Sequence, residues 1–219
     1  MKTIQNLQSI LAKAGVDFGP SDGIPGAKTA KGLFTALTSR LVSLDDPALI
    51  AAKRAFLETP TRKTISAAYG NLEYKESGKD DGRIVILNPA AWQKNFCKIT
   101  IDIPGMEKPI NLTVNRGIAC QVSGAFAEIQ LANESLPESE RWAPKVIQSY
   151  CPRHNRWDSA MPLSVHSWAA AIDIDPKQNG IGVKTNIPAW VIKILQTWGA
   201  VWGGDWKSYP DPMHFQWMR

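Results

Sequence analysis

Apolar residues recur every three or four positions at the start of the chain: Ile4, Leu7, Ile10, Leu11 and Ala14. That spacing puts them on one face of a helix, and Gly15 supplies the stop that closes it. The next stretch, Asp17-Phe-Gly-Pro-Ser-Asp-Gly-Ile-Pro-Gly, is dense in turn formers and predicts a loop. A second helix follows, with Ala30, Leu33, Phe34, Leu37 and Leu41 on a common face, and a third is predicted from Pro47 to Leu57. Residues 1–68 are therefore expected to form a small helical bundle. The polar, charged stretch from Gly70 to Arg83 predicts a linker or exposed loop, and 69–83 is assigned as the linker.

From Ile84 the pattern changes. Ile84-Val-Ile-Leu and Ile99-Thr-Ile-Asp-Ile predict strands. Ile118, Val122, Ala125, Phe126 and Ile129 return to helical spacing. Lys145 to Tyr150 predicts a strand leading into a loop over 151–163, Ala171-Ile-Asp-Ile-Asp alternates with period two, and Ala189 to Thr197 predicts a last helix. The fold class expected is α+β: the helical bundle, then an α+β domain over 84–219 with an antiparallel sheet.

Composition adds three points. Hydrophobic residues make up 44% and charged residues 21%, enough apolar material for a core. Net charge is +5, and the first 70 residues hold nine Lys/Arg against five Asp/Glu, so that segment suits a polyanionic partner. No Lys/Arg run, zinc finger or stacking motif accompanies the charge, so nucleic acid is not expected as the partner. Of nine Trp, six (Trp157, Trp168, Trp190, Trp198, Trp202, Trp206) fall within fifty residues of one another, and Trp217 follows. Most should pack in the core, and some are candidates for an aromatic wall around a cleft.

Cys97, Cys120 and Cys151 match no metal motif and are odd in number, so reduced, partly buried thiols are expected. The first residues lack the unbroken apolar stretch of a signal peptide, and no run is long enough to span a membrane. A chain made in the cytoplasm, with no membrane partner and acting as a monomer, is the expectation.

The chemistry centres on two of the three His. His166 lies in Ser164-Val-His-Ser-Trp-Ala-Ala-Ala-Ile-Asp, and His214 in Asp211-Pro-Met-His-Phe. A catalytic zinc site takes three N/O ligands and leaves one position open, which two imidazoles and a carboxylate satisfy. His166 and Asp173 are seven residues apart, about 10.5 Å along a helix or about 23 Å along a strand. The chain must therefore turn between them, at Ser167–Ala170. Asp173 would then share a strand face with Ala171, while Ile172 and Ile174 face the core. Asp211 is placed to handle a proton beside such a metal. Spacing alone equally allows packed histidines and a capping aspartate.

Ser164-x-His166 through Asp173, followed by Asp211-x-x-His214-Phe215, resembles the two-part signature of the M15 zinc peptidases. That family includes D-alanyl-D-alanine carboxypeptidases and phage L-alanyl-D-glutamate endolysins. The resemblance covers roughly residues 84–219. It implies Zn2+ held by His166, Asp173 and His214, with Asp211 as general base. Trp202-Gly-Gly-Asp-Trp206 resembles the segment preceding the last motif in phage members. Two positions depart from the pattern: Ala169 stands where Gly is usual, and Gln216 where Glu often follows. Asp205, a rival for the base, lies at the wrong distance from His214 and is expected to be structural.

In the family an Arg from the region just upstream binds a substrate carboxylate, and Arg153 and Arg156 are the candidates here. A guanidinium fork suits that task because it bonds both oxygens. Ser164 is expected to hydrogen-bond near the metal ligand, and His154 is a lesser candidate for a substrate contact. In the first loop, Asp22, Gly23, Gly26 and Thr29 resemble the D-G-x-x-G-x-x-T core of peptidoglycan-binding modules. Both resemblances imply bacterial peptidoglycan as partner. The function expected is an endolysin that cuts the L-Ala–D-Glu bond, with the N-terminal segment as a separable wall tether. The alternatives are a D-alanyl-D-alanine carboxypeptidase and a non-catalytic wall-binding protein with a structural zinc.

Overall fold

The computed structural model describes residues 2–79 and 81–219. It is an α+β fold in which helices come first and short antiparallel sheets follow. Helix α1 (Lys2–Lys13) buries Ile4, Leu7 and Leu11, and α2 (Ala27–Thr38) buries Ala30, Leu33 and Leu37, as their spacing predicts, whereas Leu41, expected on the same face, lies beyond the end of α2 and is exposed. Helix α3 (Pro47–Phe56) starts where Pro47 follows Asp46, whose carboxylate accepts from the backbone N–H of Ala48 and Leu49. A short α4 (Ile65–Tyr69) was not expected.

The stretch read as a linker holds one arm of a hairpin. Strand β1 (Tyr74–Glu76) pairs antiparallel with β2 (Ile84–Ile86). A short helix α5 (Pro89–Trp92) leads to β3 (Phe96–Ile101), which pairs along its whole length with β4 (Ile110–Asn115). The long helix α6 (Ala119–Glu134) is buried on most of its faces. The last sheet has four strands in the order β5 (Ile147–Gln148), β6 (Ala171–Ile174), β8 (His214–Gln216), β7 (Val201–Trp202), all antiparallel. Helix α7 (Ala189–Thr197) packs behind it against α6. No described helix is long and apolar enough to cross a membrane.

The helical segment shares one core with the rest of the chain. Helix α2 lies along α6, and buried residues from Ile4 to Met218 form a continuous cluster. Phe56 stacks on Trp198 with ring centroids 6.2 Å apart. Lys53 bridges Glu128 at 2.6 Å and sits over the Trp198 ring. The Tyr69 hydroxyl donates to Trp217 O at 2.6 Å, and Arg219 N–H to Pro60 O at 2.9 Å. Removing residues 1–68 would uncover the apolar faces of α6 and Trp198, so the shared core gives the expectation of a separable tether no support.

Trp198 is fully buried, and its indole N–H donates to Glu128 at 2.7 Å. Gly124 on α6 lets the ring in: a Cβ there would fall 2.2 Å from a Trp198 ring carbon. Gly124→Ala gains at most about 1 kcal/mol of helix propensity and forces the pinned ring to move. A net loss of about 2 kcal/mol is expected, read as a lowered denaturant midpoint with unchanged slope.

Candidate metal centre

The turn required between His166 and Asp173 is present. Residues Val165–Trp168 form one tight helical turn, capped by the Ser164 hydroxyl, which accepts from the His166 backbone N–H. Ala169 then adopts a left-handed conformation (φ 52°) and sends the chain into β6. This is the position where Gly is usual. Ala tolerates the conformation at a cost of about 1–2 kcal/mol. In β6, Asp173 lies directly opposite His214 of β8, so the cross-strand pairing itself brings two ligands together. Ile172 and Ile174, on the other face, are fully buried.

The three side chains converge. Asp173 Oδ1 is 3.2 Å from His166 Nε2 and 3.0 Å from His214 Nδ1, and the two nitrogens are 3.2 Å apart. All three residues are buried, and the potential ligand atoms lie within 4.8 Å of one another. The outer atoms of each ring decide what faces inward. His166 Nδ1 lies 2.6 Å from the carbonyl of Ser149, which accepts only, so that nitrogen carries the proton and Nε2 presents a lone pair. His214 Nε2 faces Gln216 Oε1 at 3.1 Å. The Gln216 amide donates to Met218 O at 2.8 Å, which fixes its oxygen toward the ring. His214 therefore donates from Nε2 and presents a lone pair at Nδ1.

Two lone pairs and a carboxylate oxygen thus face one point, and only a cation or protons make that arrangement favourable. The donor set fits zinc: two imidazoles and one carboxylate, each imidazole oriented by an acceptor on its far side. Burial opposes ionisation of Asp173, but the contacts with His166 and His214 outweigh it and hold the carboxyl well below the usual range. Burial likewise opposes protonation of His214, and the contact with Asp173 outweighs it and raises the imidazole above its ordinary value.

Asp211 sits three residues before His214 on the wall of a cleft of about 450 Å³. Its Oδ1 is buried without a hydrogen-bond partner, and desolvation raises its pKa. Its backbone N–H donates to Gly203 O at 2.9 Å, and a Cβ on Gly203 would fall 2.6 Å from Asp211 O. The glycine of Trp202-Gly-Gly-Asp-Trp206 is therefore what allows the Asp211 segment its close approach. Asp205 is exposed and accepts from Gln196 at 3.1 Å, and it does not line the cleft.

Arg153, Arg156 and Ser164 line the same cleft as Asp211 and His214. The Arg153 guanidinium lies over Trp157 with Nε buried and unpartnered, and Arg156 lies over Tyr209. Of the tryptophans, Trp157 and Trp206 line the cleft, whereas Trp168, Trp198 and Trp217 are in the core. His154 is buried, its ring held between Met161 O and Glu76. Arg62 also lines the cleft, and nothing in its local sequence marked it out.

The N-terminal motif residues build a loop. Gly23 (φ 72°) donates its N–H to the buried Gln8 side chain at 2.8 Å, and Asp22 accepts from Ile24 N–H and Gln8. Gly26 precedes α2, and the Thr29 hydroxyl donates to Phe18 O. Cys97, Cys120 and Cys151 are free thiols, and burial pushes Cys120 up to about 12.

His166, Asp173 and His214 form a donor set that could hold a metal ion. Residues 157–217 match the model of an M15 peptidase family described as D-alanyl-D-alanine carboxypeptidase. The match spans His166, Asp173, Asp211 and His214, and it supports an M15 peptidase acting on peptidoglycan-like substrates. M15 peptidases are zinc enzymes, which agrees with the donor set. Arg62, Arg153, Arg156 and the N-terminal loop lie outside the matched residues. No curated protein and no solved structure matches the chain.

Proposed function

We propose that this chain is a zinc-dependent peptidoglycan endopeptidase of the endolysin type, which hydrolyses the L-Ala–D-Glu bond of the stem peptide. The observation that carries the proposal is the convergence of His166 Nε2, His214 Nδ1 and Asp173 Oδ1 beside a cleft that holds an unpartnered Asp211 carboxylate. When bound there, zinc supplies Lewis-acid polarisation of the scissile carbonyl and activation of water. The chain's own residues do the rest. Asp211 Oδ1, unpaired and poorly solvated, accepts a proton from the attacking water and returns it to the leaving amine. Arg153, which lines the cleft, offers its guanidinium to a substrate carboxylate. Gln216 and the Ser149 carbonyl hold the imidazoles in the tautomers the metal needs.

The loop built by Asp22, Gly23, Gly26 and Thr29, together with the positive charge of the helical segment, supports a secondary wall contact. In this reading the protein is stored in a host cytoplasm and reaches the wall through a permeabilised membrane. A second reading, D-alanyl-D-alanine carboxypeptidase, is favoured by the description of the matching family model. Digestion of purified peptidoglycan followed by mass spectrometry separates the two. Cleavage of the L-Ala–D-Glu bond leaves an L-Ala carboxyl terminus on the glycan side and a new D-Glu amino terminus on the released peptide, and this pair of ends is the expected signature. Release of D-Ala alone overturns the endopeptidase assignment, and no zinc-dependent product overturns both.

A further inference from the structure

Among the described residues that line the cleft, Arg62 is the one contributed by the helical half of the chain. It lies between α3 and α4, in a turn tied down on both sides. Arg219 N–H donates to Pro60 O at 2.9 Å, and Thr61 N–H donates to the Thr64 hydroxyl at 2.9 Å. The guanidinium reaches the loop that precedes the His166 turn and donates through Nη1 to Leu163 O, next to Ser164. Its other N–H groups are free to point elsewhere.

The charge balance of the cleft is uneven. Arg62, Arg153 and Arg156 all line it, against a single carboxylate, Asp211. Among the described residues none of the three arginines forms an ion pair. Arg62 is exposed as a whole residue, yet partial burial of its guanidinium lowers its pKa. Cations in excess of carboxylates at the wall of a cavity form a receptor for more than one anionic group. Arg153 and Arg62 approach the cleft from different parts of the fold, so one carboxylate need not satisfy both.

We propose that Arg62 binds a substrate carboxylate distinct from the one held by Arg153. The cleft then selects an acidic peptide with at least two carboxylates near the scissile amide, and the helical half of the chain forms part of the substrate site. This rests on the peptidase reading above.

The test uses the full-length, zinc-loaded protein and a series of synthetic stem peptides in which each carboxylate in turn is replaced by its carboxamide. Arg62→Gln is expected to raise KM on the all-acid peptide roughly tenfold or more while leaving kcat nearly unchanged. One amidated peptide should show the same loss with the unsubstituted protein and little further loss with Arg62→Gln, the coupling expected of two groups in contact. Arg62→Lys, which keeps the charge without the fork, should fall between. Melting curves identify any variant that fails to fold, and in that case the Arg62→Lys cycle decides. If the effect of Arg62→Gln is the same whichever carboxylate is amidated, or is absent, the proposal is wrong while the peptidase reading stands. If the unsubstituted protein cleaves none of the peptides, both fall.

Discussion

Alanine at His166 is expected to leave a folded protein that no longer retains zinc, whereas alanine at Gln216 is expected to weaken zinc binding without abolishing it. The difference follows from what each side chain touches. His166 Nε2 is one of three inward donors, and its removal leaves an imidazole and a carboxylate with one position too few for a tight site. Gln216 touches no ion position. It holds His214 Nε2–H and is itself held by Met218 O. Without it the imidazole is free to turn over or take the other tautomer. Loss of such a supporting hydrogen bond typically costs about 10–100-fold in metal affinity. Competition with a graded chelator measures both. Equal zinc affinity in Gln216→Ala and the unsubstituted protein would show that the amide does not orient His214. Retention of zinc by His166→Ala would remove His166 from the ligand set.

Much of this centre was legible before the fold was known, because its residue types are rare and their spacing is constrained. Two of the three histidines fall in it, and the turn between His166 and Asp173 follows from the reach of helix and strand. The helices carried a strong signal: α1 and α2 bury most of the positions their periodicity singles out, and α3 and α7 form where they were expected. The short strands did not. β8 is only three residues long, too short for alternation to register, yet its pairing with β6 places His214 opposite Asp173. β4 is an exception, with a readable alternation, Ile110-Asn-Leu-Thr-Val, that follows Pro109 and ends at Asn115. The stretch before Ile84 looked like a linker because β1 is exposed along its length and buries nothing. Arg62 was invisible for another reason. It is an ordinary Arg in a polar turn, and only the packing of the helical half against the C-terminal half carries it to the cleft. Gln216, a departure from the family pattern, acquires its role only once β8 places its amide against His214.

Asparagine at Asp211 is expected to lower turnover by about 10²–10⁴-fold while the protein keeps both its fold and its zinc. Asp211 is not among the converging ligand atoms, so the ion has no need of it. Its Oδ1 has no hydrogen-bond partner although it is buried. Leaving such an atom unpaired costs stability. Asparagine is nearly the same shape and carries no charge, so the substitution is expected to be neutral or mildly stabilising for the folded chain. A structural aspartate would behave in the opposite way, since losing its partners would lower the melting temperature. Catalysis should suffer because the amide oxygen is far too weak a base to take the proton that Asp211 is placed to accept. Asp205→Asn is the control. That carboxylate is exposed and bonded to Gln196, away from the cleft, and its loss should leave turnover within a few-fold of the starting value. Zinc content, melting temperature and turnover on purified walls should be measured for both variants side by side. An active, zinc-loaded Asp211→Asn beside an inactive, zinc-loaded Asp205→Asn would transfer the proton-handling role to Asp205. Loss of zinc in Asp211→Asn would instead place Asp211 among the ligands.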